Sequence, residues 1–191
     1  MPVRIGSGEL RGRMLKTPSG TATRPLLARI KKSLFDILAP RLPGSRVLDV
    51  YAGCGSFGIE AVSRGASEAV LVEKADRAAR AIMDNIARLG GRRGRTRLIR
   101  RDAPGAMISL ADGGEEFDIV FLDPPFGEER DAELLGLAAS LLAPGGMVLL
   151  RVPRDRPDPG VPAGQERAIS LVREKRYGAS TVRFYVKGGI E

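Results

Sequence analysis

The 191-residue chain is 43% hydrophobic and carries a net charge of +8, which suits a soluble α/β-sized domain with a full core. No apolar run reaches the roughly 18 residues a membrane span needs. With no apolar leader core in Met1 to Arg13 and a single cysteine, a cytoplasmic protein is expected. Histidine is absent, which argues against a Ser-His-Asp triad or a histidine-based metal site, and no metal is expected.

The charge is uneven. Residues 1–46 hold ten Lys or Arg against Glu9 and Asp36, whereas residues 47–191 balance to zero. A basic segment ahead of a neutral body suggests a polyanion partner, foremost a nucleic acid. Val3 to Ile5 and Leu10 to Leu15, parted by Gly6-Ser7-Gly8, read as a small hairpin projecting Arg4, Arg11, Arg13 and Lys16. Pro25 suits a first helical turn, and Leu27, Ile30, Leu34 and Leu38 follow at helical spacing. Arg24, Arg29, Lys31 and Lys32 are expected on or beside that helix's polar face. The division expected is a basic arm over 1–46 and a main domain over 47–191.

From Val47 the pattern alternates strand and helix. Val47 to Val50 reads as a strand, a glycine turn follows, and a helix runs from about Gly58 to Arg64-Gly65. Ala69 to Val72 is the second strand, ending at Glu73, and Asp76 is placed to cap the next helix. Thr96 to Ile99 is a third strand before Asp102, with a weak helix over 106–110. Phe117 to Leu122 is the fourth, leading into Asp123-Pro124-Pro125-Phe126. A helix over 134–142 precedes a fifth strand over 147–152. Ala168 to Val172 and Thr181 to Val186 alternate as a closing pair. This order predicts a doubly wound, mostly parallel sheet with a C-terminal antiparallel hairpin.

Two motifs carry chemistry. Gly53-x-Gly55-x-x-Gly58 after a strand and before a helix is a cradle for a nucleotide-like cofactor. The glycine pattern also fits a nicotinamide-dependent oxidoreductase, with Glu73 on a ribose hydroxyl. Asp49, at the strand end, sits awkwardly beside a pyrophosphate but suits a cationic ligand or a role in holding the loop. Asp102 can accept from an adenine amino group. Three carboxylates at strand ends favour S-adenosylmethionine.

The second motif, Asp123-Pro124-Pro125-Phe126, follows a middle strand. The prolines stiffen the turn, so the Asp123 carboxylate and the Pro124 carbonyl can accept the two hydrogens of an exocyclic amine. Phe126 offers a face on which a base can stack. Cys54 lies in the cofactor loop, which suits a small turn residue better than a nucleophile.

V-L-D-V-Y-A-G-C-G-S-F-G (47–58) and F-L-D-P-P-F (121–126) resemble class I S-adenosylmethionine-dependent methyltransferases that modify exocyclic amines. R-G-R-M-L-K-T-P (11–18), residues 23–38, G-I-E-A-V-S-R-G-A (58–66) and Y-G-A-S-T-V (177–182) narrow the resemblance to the bacterial 16S rRNA (guanine-N2)-methyltransferases, the RsmD family.

The resemblance implies a Rossmann-like class I methyltransferase fold with a small basic N-terminal hairpin and helix. It implies Asp49, Gly53, Gly55, Glu73 and Asp123 at the cofactor, and Asp102 with Ala103 near its adenine. Asp123, Pro124 and Phe126 would hold the guanine. Arg4, Arg11, Arg13, Lys16, Arg24 and Arg29 are the expected RNA contacts, with Arg93, Arg95, Arg97, Arg100 and Arg101 as a second patch. The implied partner is 16S rRNA in an assembling 30S subunit, met by a monomer. Three positions depart from the family pattern: Cys54 stands at a Ser or Thr, Leu26 at a Thr, and Arg151 at a glutamate. The remaining alternatives are an adenine-N6 DNA methyltransferase, a nicotinamide-dependent oxidoreductase and a nonenzymatic rRNA-binding assembly factor.

Overall fold

In the computed structural model, which describes residues 3–18, 26–90, 95–127, 129–160 and 169–188, the chain forms two units that meet between Asp102 and Ala103. Arg24, Pro25, Arg93 and Ala168 lie outside the described residues. Hydrogen bonds and buried side chains join the N-terminal segment to the rest of the first unit.

That unit opens with a two-stranded antiparallel ribbon, β1 (Val3–Arg4) and β2 (Met14–Leu15). The expected hairpin is present, yet it does not stand out as a finger. Ile5 and Leu10 are buried, and Glu9 N donates to Ser63 O at 2.8 Å. Leu10 N donates to Ser63 Oγ at 2.9 Å. The approach is close enough that a Cβ on Gly8, where φ is +82°, would sit 1.9 Å from the Ser63 carbonyl oxygen.

Helix α1 (Ala28–Leu38) buries Ile30, Leu34, Phe35 and Leu38 but leaves its N-cap, Leu27, exposed. Lys31, expected on the polar face, is buried as well. Its ammonium pairs with Glu60 at 2.6 Å and donates to the Arg4 carbonyl at 3.0 Å. Glu60 also accepts from Arg64 at 2.7 Å and from Gly6 N at 3.2 Å. One buried carboxylate thereby ties the ribbon and α1 to α2 (Ser56–Ser63).

Strands β3 (Arg46–Val50), β4 (Glu68–Val72) and β5 (Thr96–Ile99) run parallel, with β4 between the other two. Their register aligns Val50, Val72 and Ile99, so the residues that follow emerge along one edge. β3 and β4 are buried on both faces apart from their first residues, as crossover helices require. Helix α3 (Asp76–Ala87) is capped by Ala75; Asp76 lies in its first turn and pairs with Arg100 at 2.5 Å.

The second unit begins with α4 (Ala103–Asp112), longer than the sequence suggested, and β6 (Phe117–Leu122). Helix α5 (Asp131–Ser140) leads into β7 (Leu142–Pro153), parallel to β6. β9 (Ser180–Lys187) pairs antiparallel with β7 on one side and with β8 (Ile169–Tyr177) on the other. The expected antiparallel hairpin is therefore present, with its second strand inside and its first at the edge.

Candidate active site

Within the first unit, the turn from β3 to α2 is shaped by backbone conformations that most residues avoid. Tyr51 has φ of +64°, Gly53 +59° and Gly55 +77°. A Cβ on Gly55 would meet Leu71 Cδ2 at 2.8 Å, so neither the conformation nor the packing admits a side chain there. Tyr51 is the non-glycine residue among the described ones that holds a positive φ, a strained state that clusters at functional sites. Nothing in the local sequence marks it except its place before Ala52-Gly53.

The carboxylates shape this turn. Glu73 Oε2 accepts from Gly53 N at 2.9 Å and Glu73 Oε1 from Ala75 N at 2.8 Å, so the residue bridges the glycine turn and the start of α3. Asp49, 2% exposed, accepts from Gly58 N at 2.9 Å and so caps a first-turn amide of α2. Asp102 is exposed beyond β5, on the edge where Glu73 follows β4; Ala103 starts α4 and is buried. Cys54 is buried, burial pushes its thiol pKa up, and its carbonyl accepts from Asn85 Nδ2 at 3.0 Å. A thiol held protonated is a turn component and a poor nucleophile.

In the second unit, Asp123 follows β6 and Arg151 lies near the end of β7. The parallel register sets Leu122 opposite Leu150, and so places the two charged residues side by side. Arg151 Nη1 donates to Asp123 Oδ1 at 2.9 Å and Oδ2 at 3.2 Å. Arg151 Cζ stands 5.0 Å from the centre of the Phe126 ring, and its Nε donates to Ser180 Oγ on β9 at 3.3 Å. Burial raises the Asp123 pKa above the ordinary carboxylate value, and the Arg151 charge opposes that rise.

Arg156 fixes the far side of the turn. It pairs with Asp131 at 2.9 Å and donates to the Phe126 carbonyl at 3.1 Å. Pro124 is buried and Phe126 half-buried. Neither arginine figured among the site residues expected from the sequence. Their partners are 28, 25 and 30 residues away, and only the tertiary fold brings them together.

Of the basic residues expected on the ribbon and α1, Arg4, Arg11, Arg13, Lys16 and Arg29 are all exposed. Arg13 donates to the Arg88 carbonyl, and Lys16 pairs with Asp84 at 2.7 Å, so both lean onto α3 and its end. Arg4 and Arg11 line a cleft of about 430 Å³ with Lys31, Lys32, Asp36 and Arg64. Among the described residues, no group of three or more Cys, Asp or Glu is gathered as metal ligands would be, and no helix is long and apolar enough to cross a membrane.

Strand, glycine turn and helix, with carboxylates along the strand ends and an Asp-Pro-Pro-Phe turn, are the parts of a class I, S-adenosylmethionine-dependent methyltransferase. Solved structures share the fold. The Escherichia coli protein yhhF is 34% identical, covers 98% of each chain and superposes with a TM-score of 0.83. SMU.776, determined in complex with S-adenosylhomocysteine, is 13% identical over 82% of this chain and 49% of its own, with a TM-score of 0.68, a likeness of fold alone.

Residues 3–186 match the family model described as conserved hypothetical protein 95, and the chain belongs to that family, the RsmD family. A curated relative, Ribosomal RNA small subunit methyltransferase D of Escherichia coli (strain K12), is 34% identical over 185 residues, covering 96% of this chain and 89% of its own.

Proposed function

We propose that the chain transfers a methyl group from S-adenosylmethionine to the exocyclic N2 amine of a guanine in 16S rRNA. The observation that carries this reading is the Asp123 carboxylate, partly buried at the end of β6 on a turn stiffened by two prolines and pinned by Arg156. A fixed acceptor of that kind suits an amine that becomes cationic as it is methylated.

The residues of the first unit fit the cofactor. The glycine turn offers backbone without side chains, and Glu73 is anchored where its carboxylate can meet ribose hydroxyls. Asp49 shapes the cradle through Gly58, and Asp102 with Ala103 would border the adenine. The cofactor supplies a methyl group already activated by positive sulfur. What remains for the protein is orientation. Asp123 and the Pro124 carbonyl accept the amine hydrogens, Phe126 stacks on the base, and the proton released after transfer goes to Asp123 or water. None of these roles requires a histidine.

Arg4, Arg11, Arg13, Lys16, Arg24 and Arg29 are assigned to RNA phosphates, with 16S rRNA in an assembling 30S particle as substrate, a monomeric enzyme and the cytoplasm as the setting. The test is tritiated methyl transfer to 16S rRNA and to 30S particles lacking the modification, followed by nucleoside analysis. Label in N2-methylguanosine is expected, and Asp123→Ala should lower the rate at least about 100-fold in enzyme that still binds cofactor. Label in DNA adenine, or none in any RNA despite cofactor binding, refutes the assignment.

A further inference from the structure

We propose that Arg151 is a positioning residue for methyl transfer: braced by Ser180, it fixes the Asp123 carboxylate in its accepting orientation and keeps it ionised. The inference rests on the reading of Asp123 as the acceptor of the target amine.

The geometry has three supports. Nη1 spans both carboxylate oxygens, at 2.9 and 3.2 Å, which sets the rotation of the carboxylate. Nε is held from the neighbouring strand by Ser180 Oγ, itself a donor to the Tyr177 carbonyl at 3.3 Å. The guanidinium also faces the Phe126 ring at 5.0 Å, so one side chain sets both the acceptor and the stacking residue. A carboxylate has about four lone-pair sites, so the two Nη1 contacts leave capacity for an amine. Lysine has neither the fork nor the flat face.

The charge matters as much as the geometry. The Asp123 and Arg151 side chains are only 16% and 11% exposed. An unpaired carboxylate at such depth takes up a proton, and then presents an O–H donor where the amine needs an acceptor. Three other cations of the second unit are committed elsewhere. Arg154 donates to the Gly178 carbonyl, Arg156 serves Asp131 and the Phe126 carbonyl, and Arg183 pairs with Glu174 and donates to the Pro157 carbonyl. Among the described residues of that unit, Arg151 is the cation paired with Asp123.

The experiment is the pH profile of kcat, with rRNA particles and S-adenosylmethionine saturating, for wild type, Arg151→Gln and Arg151→Lys. Removing an opposite charge at contact distance should raise the acid limb by about 1–3 pH units in Arg151→Gln. The rate deficit is then large near pH 6 and shrinks towards pH 9. Arg151→Lys should recover most of that shift at a reduced plateau. Should Arg151→Gln fail to fold, Arg151→Met, apolar and of similar reach, provides the same reading. A wild-type acid limb in the charge-removing variant, with the rate unchanged or lowered equally at every pH, overturns the proposal. Asp123→Ala separates the two failures: full rate there refutes Asp123 as acceptor, whereas an unshifted limb in an Asp123-dependent enzyme refutes only the role of Arg151.

Discussion

Replacing Glu60 by glutamine removes the charge from the carboxylate that joins ribbon, α1 and α2. Lys31 and Glu60 side chains are 4% and 1% exposed, and the ion pair between them is 2.6 Å long. Taking one charge from a buried pair leaves the other uncompensated, at a cost of about 3–5 kcal/mol. Three further bonds are weakened, one from Gly6 N and two from Arg64, whose guanidinium also lies over Phe35 at 4.7 Å. For a chain of this length each kcal/mol lowers the melting temperature by about 2–4 °C, so a fall of about 6–20 °C is expected. Thermal melts read the loss, and hydrogen exchange at the Gly6 amide reads whether the ribbon loosens with it. Combining Glu60→Gln with Lys31→Met should restore much of the stability, because both buried charges are then gone. A loss below about 1 kcal/mol, or strict additivity of the two changes, would refute the buried-pair reasoning.

Two other expectations concern the site and its RNA. Gly55→Ala combines a positive φ with a 2.8 Å clash against Leu71, so a loss of about 1–3 kcal/mol is expected together with weaker S-adenosylhomocysteine binding in a thermal-shift titration. Arg4→Glu with Arg11→Glu should weaken rRNA binding and flatten its dependence on log salt by about 0.7–0.9 for each phosphate no longer neutralised. An unchanged salt slope would mean that the cleft these arginines line does not meet phosphate.

The readable parts of the sequence are those whose signal is local. The strand Val47 to Val50, the glycines after it and the Asp-Pro-Pro turn each declare themselves within a dozen residues. Helical periodicity likewise locates α1 and α3. Lys31 shows where such reading stops: helical spacing puts it on a polar face, and only Glu60, 29 positions later, explains its burial. Asp76 has the residue type of a cap, but the cap position falls to Ala75 and Asp76 lies in the first turn, paired with Arg100. The ribbon is legible as a ribbon, whereas its docking depends on Ser63, Asn85 and Arg88, which no local pattern connects to it. The Asp123–Arg151 pair is hidden for the same reason, being a product of parallel register.

The placing of β9 between β7 and β8 has a consequence for how the molecule is made. Synthesis delivers β8 first, yet its ladder runs entirely to β9, so β8 emerges with nothing to pair against. β7 meanwhile shows an open edge along Met147 to Pro153, the row that β9 later covers. Until Ser180 to Lys187 has left the ribosome, neither strand can be completed, and Arg151 lacks the Ser180 hydroxyl that braces it. Completion of the Asp123–Arg151 pair is thereby tied to a strand made after β8, and a chain arrested before β9 would leave Arg151 without that brace.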